Sequence, residues 1–446
     1  MKSQKFGEGK NCYIVETKEN LDKGRRPEAG YYLDYLLNEN ITLEGPGENV
    51  SIVKSVTSSN GEEINSDIAN NFDVIGHAIT GGGKTAAFLI PVINYIAEQK
   101  SRDGSGKNLY PYCIVISPTK ELAEQLYEDA LTFSTDLDCI ALLSFGEIPR
   151  QNNIARVKDG CDIFICTVGR LCDYLQQKVL DLRHLRFLIF DEADRLLQVE
   201  GFLVNLVECL LPRCREIPNL RKMMFSATDC DDLADLKEKF SMPNATKIVV
   251  GILNSVNPFI EQQVLNVKVH EKREILLRLM QALYLNDDDK SPPKTIVFVN
   301  TKRFATVIAC YLSLKGYKAY PIHGNLTAKL RREAIVALQD GECHILVSTD
   351  VAARGLDIKG VSHIINYEMP KAEDFLSYIH RVGRTGRVGN VGCATTFFDS
   401  SVDYSMAFVL YRWLEMNKQE IPDFLIEEAR RQRDIEDLQR KTREEL

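Results

Sequence analysis

From about residue 72 onward, short runs of β-branched and other apolar residues alternate with longer stretches in which apolar positions recur every three to four residues. Short continuous apolar runs suit strands covered on both faces, and the helical period between them suits crossover helices. The pattern therefore predicts parallel sheets in an α/β fold. A first series of strands is expected at Cys113 to Ser117, Asp162 to Thr167, Phe187 to Phe190, Met223 to Phe225 and Lys247 to Val250. A second series is expected at Thr295 to Val299, Ala319 to Ile322, His344 to Ser348, His363 to Asn366 and Ala394 to Phe398.

The charged, Pro-bearing stretch Asn286 to Pro293 reads as an exposed loop. Strand material at Gln262 to Val269 and a helix around Ile275 to Leu285 precede it, so the domain junction is placed earlier, near Gly251 to Pro258. Four regions result: a divergent amino-terminal segment (1–70), a first α/β domain (71–255), a second (256–425) and a charged tail (426–446). The first region carries turn signals at Gly45-Pro46-Gly47 and Ser58-Ser59-Asn60-Gly61, with weak periodicity. The tail has sparse apolar positions and reads as a solvated helix or frayed end.

Composition changes this picture little. The 446 residues are 44% hydrophobic and 26% charged, with 27 Gly and 15 Pro, which is ordinary globular material and excludes collagen-like, wholly disordered and coiled-coil chains. No stretch approaches the roughly 18 consecutive apolar residues of a membrane span, and the start lacks the apolar run of a signal peptide, so a soluble intracellular protein is expected. The 12 cysteines include no Cys-x-x-Cys and read as buried free thiols, with neither a disulfide frame nor a zinc site indicated. A net charge of -8 argues against bulk electrostatic capture of nucleic acid but leaves room for a local basic groove.

The chemistry begins at Ala78-Ile79-Thr80-Gly81-Gly82-Gly83-Lys84-Thr85, between an apolar segment and a helical run. Glycines let backbone N–H groups turn inward around a phosphate chain, and the helix N-terminus adds its positive end. Lys84 offers a point charge to the outer phosphates, and Thr85 a hydroxyl to Mg²⁺. Asp191-Glu192-Ala193-Asp194 follows the run Phe187 to Phe190, at the strand end where open α/β sheets place ligands. There Asp191 suits Mg²⁺, and Glu192 can orient or deprotonate an attacking water. Further polar clusters follow strand candidates: Pro118-Thr119-Lys120-Glu121, Thr167-Val168-Gly169-Arg170, Ser226-Ala227-Thr228, His323-Gly324, and Ser348-Thr349-Asp350 with Ala353 to Asp357. His380-Arg381-Val382-Gly383-Arg384-Thr385-Gly386-Arg387 places arginines three apart, able to converge on one anion.

In order and spacing these motifs resemble the DEAD-box ATP-dependent RNA helicases of superfamily 2, from about Asp73 to Phe424. Ala86 to Pro91, Arg387-Val388-Gly389-Asn390 and Ile421-Pro422-Asp423-Phe424 resemble the Vasa and Ded1-like branch most. The resemblance implies two tandem RecA-like domains, each a mostly parallel sheet flanked by helices, that close on ATP and RNA. It implies that Thr80, Gly81, Gly82, Gly83, Lys84 and Thr85 hold nucleotide and Mg²⁺, with Asp191 and Glu192 serving metal and water. Ser226, Thr228 and His380 would couple the nucleotide site to the domain interface, Asp357 would face the ribose, and Arg384 and Arg387 would act as arginine fingers. RNA backbone contacts would come from Pro118, Thr119, Lys120, Glu121, Gly146, Thr167, Gly169, Arg170, Thr301, Gly324, Arg331 and Thr349. Such contacts carry little base information, so sequence-independent RNA binding is implied. The resemblance also implies a monomer working with ribonucleoprotein components in the cytoplasm, in germ-type granules if it extends that far, with the nucleus left open.

The chain departs from the family in places. Family members carry an adenine-reading glutamine about 23 residues before the phosphate-loop lysine; here that position is Gly61, and no glutamine occurs between Gln4 and Lys84. Weaker selectivity for adenine follows, and with it the alternative of a catalytically impaired RNA clamp. Smaller departures are Ile79, Gly82, Lys120, Val168 and Ala328. In Phe145-Gly146-Glu147 an acid stands where a second glycine is usual, and a carboxylate beside an RNA path opposes phosphate.

Overall fold

The computed structural model describes residues 41–44, 73–78, 83–103, 109–198, 201–228, 231–242, 245–250, 255–284, 292–350, 358, 360–386 and 391–444. The chain divides into two compact units, Met1–Leu253 and Asn254–Leu446.

The first unit is built on an eight-stranded sheet of β1 (Ile41–Glu44), β2 (Val74–Ala78), β3 (Cys113–Ser117), β4 (Ala141–Ser144), β5 (Ile163–Thr167), β6 (Phe187–Phe190), β7 (Arg221–Ser226) and β8 (Thr246–Val250). Their spatial order is β1-β8-β2-β7-β6-β3-β5-β4. All pairings are parallel except β1 with β8. The strand β1, from the segment with the weakest sequence pattern, is an antiparallel addition at the sheet's edge.

Side-chain alternation explains why the strands read as unbroken apolar runs. Ile114, Ile116, Phe164, Cys166, Leu188 and Phe190 enter one apolar layer. Their neighbours Cys113, Val115, Ile163, Ile165, Phe187 and Ile189 enter the other. Helices cover both faces, so neither set of positions is polar.

The second unit repeats the plan with six strands, β9 (Ile260–Asn266), β10 (Lys294–Phe298), β11 (Ala319–Ile322), β12 (Ile345–Ser348), β13 (Val361–Asn366) and β14 (Gly392–Phe398), in the order β11-β12-β10-β13-β14-β9. Every pairing is parallel. Ile296, Phe298, Leu346 and Ile364 enter one layer, and Val297, Val299, Ile345 and Ile365 the other.

One expectation is corrected. Cys172 and Cys209 pair as a disulfide, with Cα atoms 5.6 Å apart, where only free thiols were expected. They come from two helices, Val168–Gln176 and Phe202–Cys209, and their separation of 37 residues carries no recognisable spacing signal. The charged tail is the distal part of one helix, Asp423–Glu444, whose first turns are docked. Leu425 and Ala429 are buried, and Gln432 accepts from Phe408 N at 2.8 Å and donates to Ser405 O at 3.0 Å. Among the described residues no helix is long and apolar enough to cross a membrane.

Candidate functional site

Parallel pairing puts the carboxyl ends of all the parallel strands of a unit along one edge. In the first unit that edge gathers the segments singled out from sequence. Helix Lys84–Asp103 starts beyond β2, Lys120–Phe133 beyond β3, Val168–Gln176 beyond β5, Asp191 and Glu192 follow β6, and Ser226 ends β7. Register confirms the neighbourhood: Ser117 is opposite Thr167, and Phe190 lies between Ile116 and Met224.

Gly83 takes φ +75°, a left-handed turn that favours glycine, and its carbonyl accepts from Ala87 N at 3.0 Å as the helix begins. Lys84 Nζ donates to the Ala78 carbonyl at 2.6 Å. Asp191 N donates to Ile116 O at 3.0 Å, which carries the β6 line one residue past the strand. Glu192 then adopts φ 46°, rare for a residue with a Cβ and costing about 1–3 kcal/mol, so it persists only because its surroundings impose it. They do so through the Glu192 carbonyl, which accepts from Arg195 N and Leu196 N at 2.9 and 3.1 Å, and through a Glu192 to Arg195 ion pair at 3.1 Å.

Charge is crowded here. Burial, and then the charge of Glu192, push the Asp191 carboxyl up to about 7, against the pull of Lys84. Burial lowers the Lys84 ammonium from its ordinary value, against Asp191, Glu192 and Asp194. Both shifts have the sign of desolvation, so in the ligand-free protein mutual attraction does not compensate burial. A second network stands beside it. Ser226 Oγ donates to Thr228 O at 2.6 Å and accepts from Thr228 N at 3.0 Å, while Thr228 Oγ1 donates to Asp194 Oδ2 at 2.5 Å. This ties the end of β7 to the turn after β6.

The same edge continues toward β5 and β4. Thr119 caps helix Lys120–Phe133, its Oγ1 accepting from Leu122 N at 3.2 Å, whereas Thr167 begins helix Val168–Gln176 with no side-chain cap bond. Lys120 Nζ contacts the Glu147 carboxylate and lies 3.9 Å from that of Glu121. Arg170 is buried; its guanidinium donates to the carbonyls of Gly146 and Ile148 at 2.8 and 3.0 Å and to Tyr174 Oη at 3.2 Å. It therefore fixes the loop after β4. A cavity of about 620 Å³ opens beside that loop, lined by Gly146 to Arg150, Thr167, Gly169, Arg170, Asp173 and Phe202. Neither Gly146 nor Gly169 has a positive φ, and a Cβ at either would meet nothing within 4 Å. Nothing internal requires glycine at these two positions, which suits close approach of an external backbone.

In the second unit, Thr301, Gly324 and Thr349 follow β10, β11 and β12, whose ends are in register. Thr301 caps helix Lys302–Leu314. Thr349 is buried, its N donating to Ile322 O at 3.3 Å. Arg331 lies in the first turn of helix Ala328–Gln339, and buried His380 and Arg384 lie at and just beyond the end of helix Phe375–Val382. Thr80, Gly81, Gly82, Asp357 and Arg387 lie outside the described residues, as does Gly61.

Arg381, Asp350, Asn300 and Asp194 carry networks that the motif reading quoted in part and gave no role. Arg381 is fully buried and donates from Nε and NH2 to Asp350 at 2.5 and 2.6 Å, to Asn300 Oδ1 at 2.9 Å and to Glu368 O at 2.6 Å. Its most distant partner, Asn300, lies 81 residues away in sequence, so no local spacing signals the network.

The comparisons with known proteins agree with this architecture. The DEAD/DEAH box helicase family matches residues 61–236, and the helicase conserved C-terminal domain matches residues 271–389. The chain is 34% identical over 397 residues to the probable ATP-dependent RNA helicase vasa-like of Penaeus vannamei, covering 88% of this chain and 54% of that protein. It is 36% identical over 361 residues to the probable ATP-dependent RNA helicase DDX4 of Homo sapiens, covering 80% and 48%. The chain thus spans about half the length of the curated relatives it matches. In fold it is similar to S. cerevisiae Dbp5 bound to RNA and ADP BeF3, with TM-score 0.64 and 24% identity, covering 82% of this chain and 89% of that one. The two units have the tandem RecA-like helicase fold, and the chain belongs to the DEAD-box helicase family.

Proposed function

We propose that the chain is an ATP-dependent RNA helicase, in which RNA-stimulated ATP hydrolysis drives local duplex unwinding or remodelling of ribonucleoprotein. The observation that carries this reading is the desolvated cluster of Lys84, Asp191 and Glu192 at the carboxyl edge of the first sheet. There a cation and two carboxylates stand together at the start of a helix, the donor set that a polyphosphate and its metal ion require.

Hard oxygen donors suit Mg²⁺, and the Thr85 hydroxyl and Asp191 carboxylate are the pair that would hold it, where its charge would neutralise phosphate oxygens. Lys84 exchanges the Ala78 carbonyl for the outer phosphates. Glu192, fixed by its backbone and by Arg195, orients the attacking water and accepts its proton as the γ-phosphoryl group leaves ADP. Asp194, Thr228 and Ser226 carry the state of that turn to the end of β7. Arg384 and Arg387 are assigned to charge on the transferring phosphoryl group. The sugar-phosphate backbone of RNA lies against Gly146, Thr167, Gly169, Thr301, Gly324 and Thr349. On the same reading the chain acts as a monomer in cytoplasmic ribonucleoprotein, an assignment supported by the resemblance alone.

Hydrolysis of Mg-ATP with and without single-stranded RNA tests the proposal. RNA should stimulate turnover in the wild type. Glu192→Gln should retain nucleotide binding and lose about 10²–10⁴-fold in rate, the contribution of a positioned general base. An RNA-independent rate, or wild-type turnover by E192Q, would reject the reading.

A further inference from the structure

Resting on that RNA-binding reading, we propose that Glu147 and Asp173 set the affinity of the first unit for RNA. Each holds a basic side chain that a phosphate must take from it.

The geometry is that of two covered cations. Lys120 is 15% exposed and its ammonium contacts the Glu147 carboxylate, which is 56% exposed. A phosphate arriving from solvent therefore meets the acid before the base. On the cavity wall, Arg150 NH2 lies 3.2 Å from Asp173 Oδ1, and Asp173 Oδ1 also accepts from Gln177 Nε2 at 2.5 Å. The remaining cation of the wall, Arg170, is committed to the carbonyls of Gly146 and Ile148. The cavity thus has the open glycine backbone that a sugar-phosphate chain needs, while Lys120, Arg150 and Arg170 all have internal partners.

This arrangement has a signature in salt dependence. A free surface lysine carries condensed mobile anions in exchange, and RNA gains affinity at low salt by releasing counterions as its phosphates are neutralised. When the lysine's charge is already balanced by a fixed carboxylate, phosphate must displace that carboxylate, which stays nearby and opposes it. Removing the acid should tighten binding and also steepen its dependence on salt.

The experiment is binding of a fluorescent single-stranded oligouridine to the whole chain, titrated between about 50 and 200 mM salt. Glu147→Gln should tighten binding about 3- to 10-fold at the low end, the scale of a partly exposed ion pair plus relief of repulsion. Its log–log salt slope should steepen by about 0.7, one phosphate contact on a single strand. Asp173→Asn should shift both in the same direction. Lys120→Ala should weaken binding in the wild type, where it bares the Glu147 carboxylate, and should cancel the gain in affinity and in salt slope in the E147Q background, a coupling that a merely structural role for Glu147 would not produce. Unchanged affinity and slope in E147Q, with the wild type binding RNA, would overturn the inference and leave the RNA reading standing. Failure of both wild type and E147Q to bind at any salt would overturn both.

Discussion

The carboxyl edges of the two sheets treat buried charge in opposite ways among the described residues. In the second unit, Arg381 is saturated: a bidentate carboxylate from Asp350, an amide oxygen from Asn300 and a carbonyl from Glu368 take its donors, and it lies over the Phe298 ring at 5.3 Å. In the first unit, Asp191 and Lys84 are both shifted toward their neutral forms, and Glu192 is held at φ 46°. A saturated buried charge organises structure, here locking the ends of β10 and β13 to helix Phe375–Val382 and to the turn after β12. A charge pushed toward its neutral form by burial marks where a ligand's own charge can take effect. The difference separates scaffold from site without reference to any relative.

Removing the scaffold charge should have the larger effect. Arg381→Ala leaves Asp350 without its bidentate partner and opens space beside Phe298, and breaking such a pair costs about 3–5 kcal/mol. The unfolding transition of the second unit, followed by urea denaturation of the whole chain, should move to lower concentration, with its unfolding free energy falling by that amount. An R381A protein as stable as wild type would erase the distinction between the two edges.

The opposite sign is expected at the site. Because the Asp191 carboxyl is pushed up to about 7 from 3.8, the folded protein holds a proton between those values that the unfolded chain has released. Stability from this group is therefore fully present below about pH 4 and is lost as pH rises through 7, with a slope of at most about 1.4 kcal/mol per pH unit. Asp191→Asn removes the titration. Relative to D191N, the ligand-free wild type should lose stability between pH 5 and about 7 and run parallel above it. Parallel curves across the whole range would show that Asp191 is not desolvated in the apo protein. Mg²⁺ must displace the same proton, so metal-dependent nucleotide affinity in the wild type should rise over this window.

Legibility in the sequence followed the same division. Strands buried on both faces, such as Cys113–Ser117 and Phe187–Phe190, were readable because every residue is apolar or small, and parallel order then assigns the loops after them to one edge. The strand β4 is not legible in the sequence, since Ala141–Ser144 carries no β-branched or aromatic residue and its Ala and Leu suit a helix equally well. The strand β1 is not either, because Ile41–Glu44 gains its partner from β8, two hundred residues on. At the site, Lys84, Asp191 and Glu192 were visible because phosphate and metal chemistry demands those residue types in short fixed spacings. Arg381 was hidden within a run of arginines: its role depends on Asn300, Asp350 and Glu368, which only the folded sheet brings together. The resemblance implies an RNA contact at Arg170, and the structure shows what spacing does not, that its guanidinium donates to the carbonyls of Gly146 and Ile148 and so holds that loop.

The finest version of the comparison is between two threonines that the sequence treats alike. Thr119 stands two residues past β3 and Thr167 ends β5, each immediately precedes a helix, and the two strands are neighbours in register. Thr119 Oγ1 accepts from Leu122 N at 3.2 Å, whereas Thr167 makes no side-chain cap bond. An N-cap hydroxyl is worth about 1 kcal/mol, so Thr119→Ala should destabilise the first unit by about that much. Thr167→Ala should change stability by less than about 0.5 kcal/mol, as surface substitutions away from such features do. Affinity for single-stranded RNA should reverse the ranking, because Thr167 stands on the cavity wall whereas Thr119 is not among the residues that line it. Chemical denaturation and RNA titration of the two variants give four numbers. A site built as described requires the larger stability loss in T119A and the larger affinity loss in T167A, and the same variant leading in both would mean that structural and binding roles are not divided between these two residues.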